Sequence, residues 1–422
     1  MSKSPDENLK KEIMDLVKTL KKAGKYGLSG CIEKNWDKTV LAYSKELNTW
    51  KPARPMEKEL LAAFKKELER LETKKIKNKT LTSKILNNIE KRRILQTAPH
   101  LGATESPRML CLNWLSSLEV SEKDFYVVAM FSGIPFSNRS RPGRINRKKD
   151  SVNLFGSNWQ DGLVYQSVIP EKLVESVPKL EEKVRKFLPE TILGASYTKW
   201  ALLACQNIEG EILKHKNLIY LDINEVVAEY LVRVLEKKEH IFHKIFFNQK
   251  TRAEFVKAFP NEIIFYAPQM KGKYEVMENM FFSRNALRGK NKKIPLDNPE
   301  KLIGELRNGR LCPALLVGFL ALAFINEFKC LGSFAQVEYL PVYQKKLAAL
   351  KCLKNFKIEK VPTANLTTGV FPFNPELFPV DAILGEKFTP DKNIFFGELL
   401  RPMKKTLLEN YFTGAEKNNG QK

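Results

Sequence analysis

The chain has 422 residues, 43% of them apolar and 10% aromatic, which is enough for a sizeable core and excludes a largely disordered protein. Lys and Arg total 71 against 48 Asp and Glu, a formal charge of +23 that favours anionic partners: nucleic acid, nucleotide phosphates or an acidic membrane surface. Lys-rich solvated faces would produce the same surplus, and the six scattered cysteines form no CxxC pair, which excludes a zinc finger or a small disulfide scaffold.

The first ninety-odd residues read as basic helices. Leu9, Ile13, Leu16, Val17 and Leu20 follow helical spacing and Gly24 is a plausible stop. Pro55 opens a second expected helix, with Leu60, Leu61, Phe64, Leu68 and Leu71 on one face. The basic run from Lys74 to Lys79 breaks that pattern. It fits a nucleic-acid-binding arm or the solvated face of a helical hairpin packed on the body.

The character changes at Arg93. The spacing predicts a short buried strand at Ile94–Thr97, a loop from Pro99 to Thr104, and a helix capped by Ser106 with Pro107 in its first turn. The apolar run Phe125–Phe131 reads as a strand buried on both faces. Strand, helix and strand make a βαβ unit and imply a parallel sheet. A further strand is expected at Leu218–Leu221, followed by a helix capped by Asn224, and another strand at Glu262–Tyr266. Leu311–Ile325 reads as one buried helix, because it is shorter than the roughly 20 residues of a membrane span. Phe334–Tyr339 reads as a turn or helix start, Val361–Thr368 as irregular, and 413–422 as a polar, disordered tail. The fold expected is α/β, a Rossmann-like parallel sheet core over 93–412 with a helical N-terminal extension over 1–92. No transmembrane segment and no leader peptide are read, so a reducing, cytoplasmic setting is expected.

Chemistry is expected at three places. In open α/β sheets ligands bind beyond the carboxyl ends of strands, where the loop Pro99–Thr104 lies. Gly102 would let a ligand approach the backbone, Thr104 and the following helix N-terminus would hold a phosphate or carboxylate, and His100 would orient or protonate it. The loop after the second strand carries Asn138, Arg139, Arg141 and Arg144, an expected anion-binding surface. The third place joins Gly332, Gln336 and Glu338 to the hydroxyl- and amide-rich segment around Asn365. A polar group set among apolar residues there needs a partner, structural or ligand. The sequence contains no Walker P-loop, no GxGxxG after a strand, no HExxH and no GxSxG. His240 and His243 share a helix spacing but lack a visible third ligand, so no metal site is read.

His100-Leu101-Gly102-Ala103 resembles a degenerate form of the histidine–glycine signature of nucleotidyltransferase-like Rossmann enzymes, with Ala103 in place of the second histidine. The order of Gly332, Glu338, Tyr339, a helix around Tyr343 to Leu353 and then Val361-Pro362 is similar to the bacillithiol-synthesis cysteine ligase family. These resemblances cover short pieces of the chain. They imply a small-molecule ligase or group transferase that acts on an amino-acid or phosphorylated substrate, with ATP or another nucleotide as a possible cofactor. His100 and Glu338 would then be the acid–base residues. The alternative is a basic RNA-binding protein without catalysis, for which the charge and the N-terminal helices speak. The oligomeric state is not legible.

Overall fold

The computed structural model describes residues 5–71, 79–272 and 274–409. Four strands, Ile94–Gln96, Tyr126–Met130, Leu218–Asp222 and Lys329–Leu331, pair in parallel as the central sheet. Across the sheet the order is Lys329–Leu331, Ile94–Gln96, Tyr126–Met130, Leu218–Asp222. The last three strands in chain order are buried along their whole length, which is why 126–130 and 218–221 read as apolar runs and not as an alternation. Helix Pro107–Ser117 connects the first two strands, and helix Tyr197–Leu213 packs on the third.

A second sheet was not foreseen. Five antiparallel strands pair in the order Cys312–Pro313, Ile263–Lys271, Tyr274–Phe282, Ala286–Arg288 and Lys293–Pro295. The strand expected at 262–266 is the inner half of the first long one. Its outer half ends in exposed Met270 and Lys271, so the apolar signal stops halfway along a nine-residue strand. The stretch Leu311–Ile325 is buried, as expected, but it is not one helix. Cys312–Pro313 pairs at the edge of the antiparallel sheet, where a proline without an N–H is tolerated. A short helix Leu315–Phe319 follows and widens into a π-helix over Leu320–Ile325.

The described residues of the N-terminal region carry the helices Glu7–Lys22, Tyr26–Asn35, Val40–Leu47, Lys58–Arg70 and Lys79–Arg92. Asp6 caps the first, its Oδ1 accepting from Leu9 N at 2.6 Å, and the five residues read from the spacing are its buried face. These helices dock on the α/β body. Tyr26–Asn35 packs on the helix Gln336–Ala348, and Lys58–Arg70 packs on Ile223–Val234. The first three build a second apolar cluster with Leu110, Trp114, Phe371 and Phe396. The basic run at 74–78 and the tail at 413–422 lie outside the described residues. Among the described residues no helix is long and apolar enough to cross a membrane.

Candidate active site

From its first strand the chain moves to the second and third on one side, then returns to lay the fourth on the other side of the first. That reversal of direction leaves a crevice beyond the carboxyl ends of Ile94–Gln96 and Lys329–Leu331, the place where open α/β sheets bind ligands. A cleft of about 790 Å³ occupies it. Its walls are Thr97 and His100 after the first strand, Phe131, Asn138 and Arg139 after the second, and Ser333, Phe334 and Gln336 after the fourth. Pro375, Glu376 and the turn at Pro402–Met403 form an outer wall. The volume falls in the range of sites for small molecules.

The helix Pro107–Ser117 begins at this cleft. Ser106 caps it, Oγ accepting from Met109 N at 3.4 Å, and Pro107 supplies the first turn. Ser106, Pro107, Arg108 and Met109 line the space, so the positive end of the helix lies against it. The Arg108 guanidinium stacks over the Phe334 ring at 4.8 Å and ties this helix start to the loop after the fourth strand. Glu376 is paired with Lys148 at 3.5 Å, and Arg108 and Arg139 are the basic residues that line the cleft.

His100 is held in one tautomer. Ser140 N–H donates to Asn138 Oδ1 at 3.0 Å, which sets the amide orientation. His100 Nδ1 lies 3.3 Å from that oxygen and must therefore carry the hydrogen, so the lone pair is on Nε2. Burial pushes the imidazole below its ordinary 6.5, Asn138 opposes that and Arg108 adds to it, so the ring is neutral at pH 7. Gln336 is anchored across the crevice, its Oε1 3.0 Å from the Thr97 hydroxyl and its Nε2 donating to Cys330 O at 3.3 Å. Gly332 makes room for it, since a Cβ there would sit 2.2 Å from Gln336 Cδ.

The structure thus brings His100, Thr104, Asn138, Arg139 and Gln336 to one cleft, with Gly332 supporting Gln336. The other expected site residues lie elsewhere. Gly102 faces its own chain, where a Cβ would meet Pro142 Cα at 3.1 Å, so its small size serves packing and not ligand approach. Thr104 lines the wall, but its hydroxyl accepts from Asn146 N at 2.8 Å. Arg141 takes a left-handed turn conformation and Arg144 pairs with Asn153 in a two-residue hairpin, and neither lines the cleft. Glu338 does not line it either. Its Oε1 accepts from Leu28 N at 2.6 Å and caps the helix Tyr26–Asn35, because two residues along a helix turn a side chain by roughly 200° from Gln336. Asn365 donates to Pro362 O at 2.8 Å and lines a separate cavity of about 370 Å³ with Cys31 and Lys329.

Polar residues at the cleft that the sequence reading missed include Glu105, Arg108, Glu376 and Thr406. Glu105 and Arg108 flank a cap that the sequence did show, and a carboxyl one residue before a capping Ser was the available signal. Asn224 was misread as a cap. Asp222 Oδ1 takes that role by accepting from Asn224 N at 3.0 Å, while Asn224 Oδ1 accepts from Ser132 N at 2.8 Å and Gly133 N at 3.1 Å. It thereby fixes the loop after the second strand. His240 caps the helix Ile241–Phe247 and lies 3.1 Å from Glu57, while His243 Nδ1 lies 2.5 Å from Leu235 O. Among the described residues no group of three or more His, Cys, Asp or Glu is placed to hold a metal ion. Neither the protein-family models nor the curated proteins compared with this chain match it.

Proposed function

We propose that the chain is a small-molecule ligase or group transferase that binds an anionic substrate or nucleotide in this cleft, and that its parallel sheet is a Rossmann-like core. The observation that carries the reading is the convergence at the strand-order reversal of a helix N-terminus, Arg108, Arg139 and a neutral His100. The positive end of the helix and two guanidinium groups suit phosphate or carboxylate oxygens, and charge that develops there during transfer would be stabilised. His100 Nε2 keeps its lone pair and can orient or take a proton. Ala103, which stands where the histidine–glycine signature has its second histidine, is fully buried, so His100 works without such a partner.

The test is thermal stability against nucleotides, amino acids, sugar phosphates and short RNA, for wild type beside His100→Ala and Arg139→Ala. A ligand at 100 times its dissociation constant stabilises by about 2.7 kcal/mol. A small anion whose effect disappears in Arg139→Ala supports the cleft and names the substrate class. The charge of +23 supports RNA as the second reading. A response to RNA alone that is unchanged in both variants and falls steeply with salt would replace the enzyme by a binding protein.

A further inference from the structure

One buried carboxyl lines the cleft, and a second lies on a helix that packs against the loop before it. Glu105, which directly precedes the capping Ser106, lines the cleft and is 5% exposed. Glu209, on the helix Tyr197–Leu213, is 1% exposed. One turn earlier on that helix, Cys205 Sγ donates to Gly102 O at 3.1 Å and holds the helix against the His100–Glu105 loop. Glu209 Oε2 accepts from the Tyr220 hydroxyl at 2.7 Å and from Asn113 Nδ2 at 2.9 Å. The Oε1 atom of each glutamate is shut off from solvent and has no hydrogen-bond partner. Two buried carboxylate oxygens without donors, on groups that repel each other, form a costly arrangement. One proton relieves both.

We propose that Glu105 and Glu209 hold a single proton between them and are the acid–base pair of the anion cleft, so that oxyanion binding and retention of that proton are linked. The inference rests on the functional reading of the cleft given above. In a transfer step Glu105, the member at the wall, gives the proton to the departing oxygen as its bond to the transferred group breaks. It regains one from the attacking group of the acceptor, so no outside acid or base is consumed. Loss of the proton adds a second buried negative charge beside the bound anion, which weakens the anion's binding. Reciprocally, a bound anion holds the proton more firmly.

Burial, and then the charge of Glu209, push the Glu105 carboxyl well above the usual range, with Ser106 N–H and Arg108 pulling the other way. Burial also pushes Glu209 up, against the Tyr220 and Asn113 donors. The other titratable groups around the pair are Cys205, Tyr220 and Tyr126, all pushed up by burial, and His100, pushed down. Arg108 and Arg139 stay charged. With Glu209 pushed up to about 7 and Glu105 raised by burial, the pair is the group of this cluster that changes charge as pH rises above neutrality.

Sulfate is the probe, because its own charge is constant over that range. In the full-length protein its dissociation constant is expected to weaken about fivefold or more from pH 7 to 9, and less than twofold in Glu105→Gln, which mimics the protonated acid. A flat wild-type profile, or an equal fall in wild type and Glu105→Gln, overturns the proposal. If Glu105→Gln does not fold, Glu209→Gln serves in its place. Arg139→Ala separates the two readings, since sulfate binding that it leaves unchanged sinks the cleft and not the pair. The pair is then decided by infrared spectroscopy at pH 7. A protonated-carboxyl carbonyl band that Glu105→Gln or Glu209→Gln removes upholds the shared proton, and absence of such a band refutes it.

Discussion

The two ends of the parallel sheet are both rich in buried polar groups, and the chain closes them differently. At the amino end everything is met from within. Glu327 Oε2 accepts from Ala53 N at 2.5 Å and Arg54 N at 3.1 Å, and its Oε1 accepts from Arg54 Nε at 2.7 Å. Lys329 Nζ donates to Glu46 O at 2.7 Å and Thr49 O at 3.2 Å, and Arg93 donates to Asn326 O at 3.0 Å. Burial pushes the Lys329 amine down to about 8. Residues 46–57 thus form a latch between the N-terminal helices and the sheet. At the carboxyl end a helix start, His100, Gln336 and Glu105 line about 790 Å³ of space, with His100 and Gln336 held from behind by Asn138, Thr97 and Cys330. One end is filled by the chain's own groups, and the other leaves a cleft that the proposed function gives to a ligand.

The comparison is broken most directly at the latch. Glu327→Ala should cost about 3–5 kcal/mol in urea unfolding at pH 7, because Arg54 and two backbone N–H groups lose a buried acceptor. It should leave ligand shifts at the cleft unchanged, and a cost below about 1 kcal/mol would refute the latch. Gly332→Ala should act at the other end. Its Cβ displaces Gln336, and a loss of about 1–3 kcal/mol should come with weakened ligand binding.

The pH dependence of stability sharpens the contrast further. A carboxyl whose folded pKa is raised contributes stability that is present in full below the ordinary carboxylate range and is lost as pH rises through the raised value. Glu105 and Glu209 are raised in this way. Asp222, pushed up to about 7, and Glu225, to about 8, are raised by burial and mutual repulsion at the end of the third strand. Stability should therefore fall from about pH 5 to pH 8, and Glu209→Gln should remove on the order of 1 kcal/mol of that fall. Chemical denaturation across the range reads the difference, and identical slopes in both proteins would count against a raised Glu209. Ser106→Ala should cost about 1 kcal/mol through the lost cap, measured the same way. The smallest effect is expected for Arg141→Ala, within about 0.5 kcal/mol in stability and without change in cleft binding. A loss of binding there would return the whole arginine loop to the site.

Much of the fold was legible. The spacing of Leu9, Ile13, Leu16, Val17 and Leu20, the Ser106-Pro107 start and the buried runs at 126–130 and 218–221 all matched, because each is a local pattern of period, cap or uninterrupted apolarity. The crevice was legible too, since a βαβ unit with a polar loop after each strand implies a carboxyl edge. The short helices at 26–35 and 40–47 were not foreseen. The first has no capping side chain at its own N-cap, Lys25, and both are too short to show a clear period. Of the expected site residues, His100, Asn138, Arg139 and Gln336 line the cleft. Glu338 lies away from it because of the phase of its helix, and Arg141 and Arg144 because a turn and a hairpin carry them away.

By itself, then, the amino-acid sequence determined the helices with strong periods, the buried parallel strands and the loops that end them, because hydrophobic spacing and capping act within a few residues. Only the tertiary structure decided which polar groups meet. It gave Glu209 to Asn113 and Tyr220, turned Asn224 from a cap into a strap across Ser132 and Gly133, and gave Glu338 to the Tyr26–Asn35 helix. Such pairings depend on strand order and helix phase across segments far apart in the chain, and no local pattern records those.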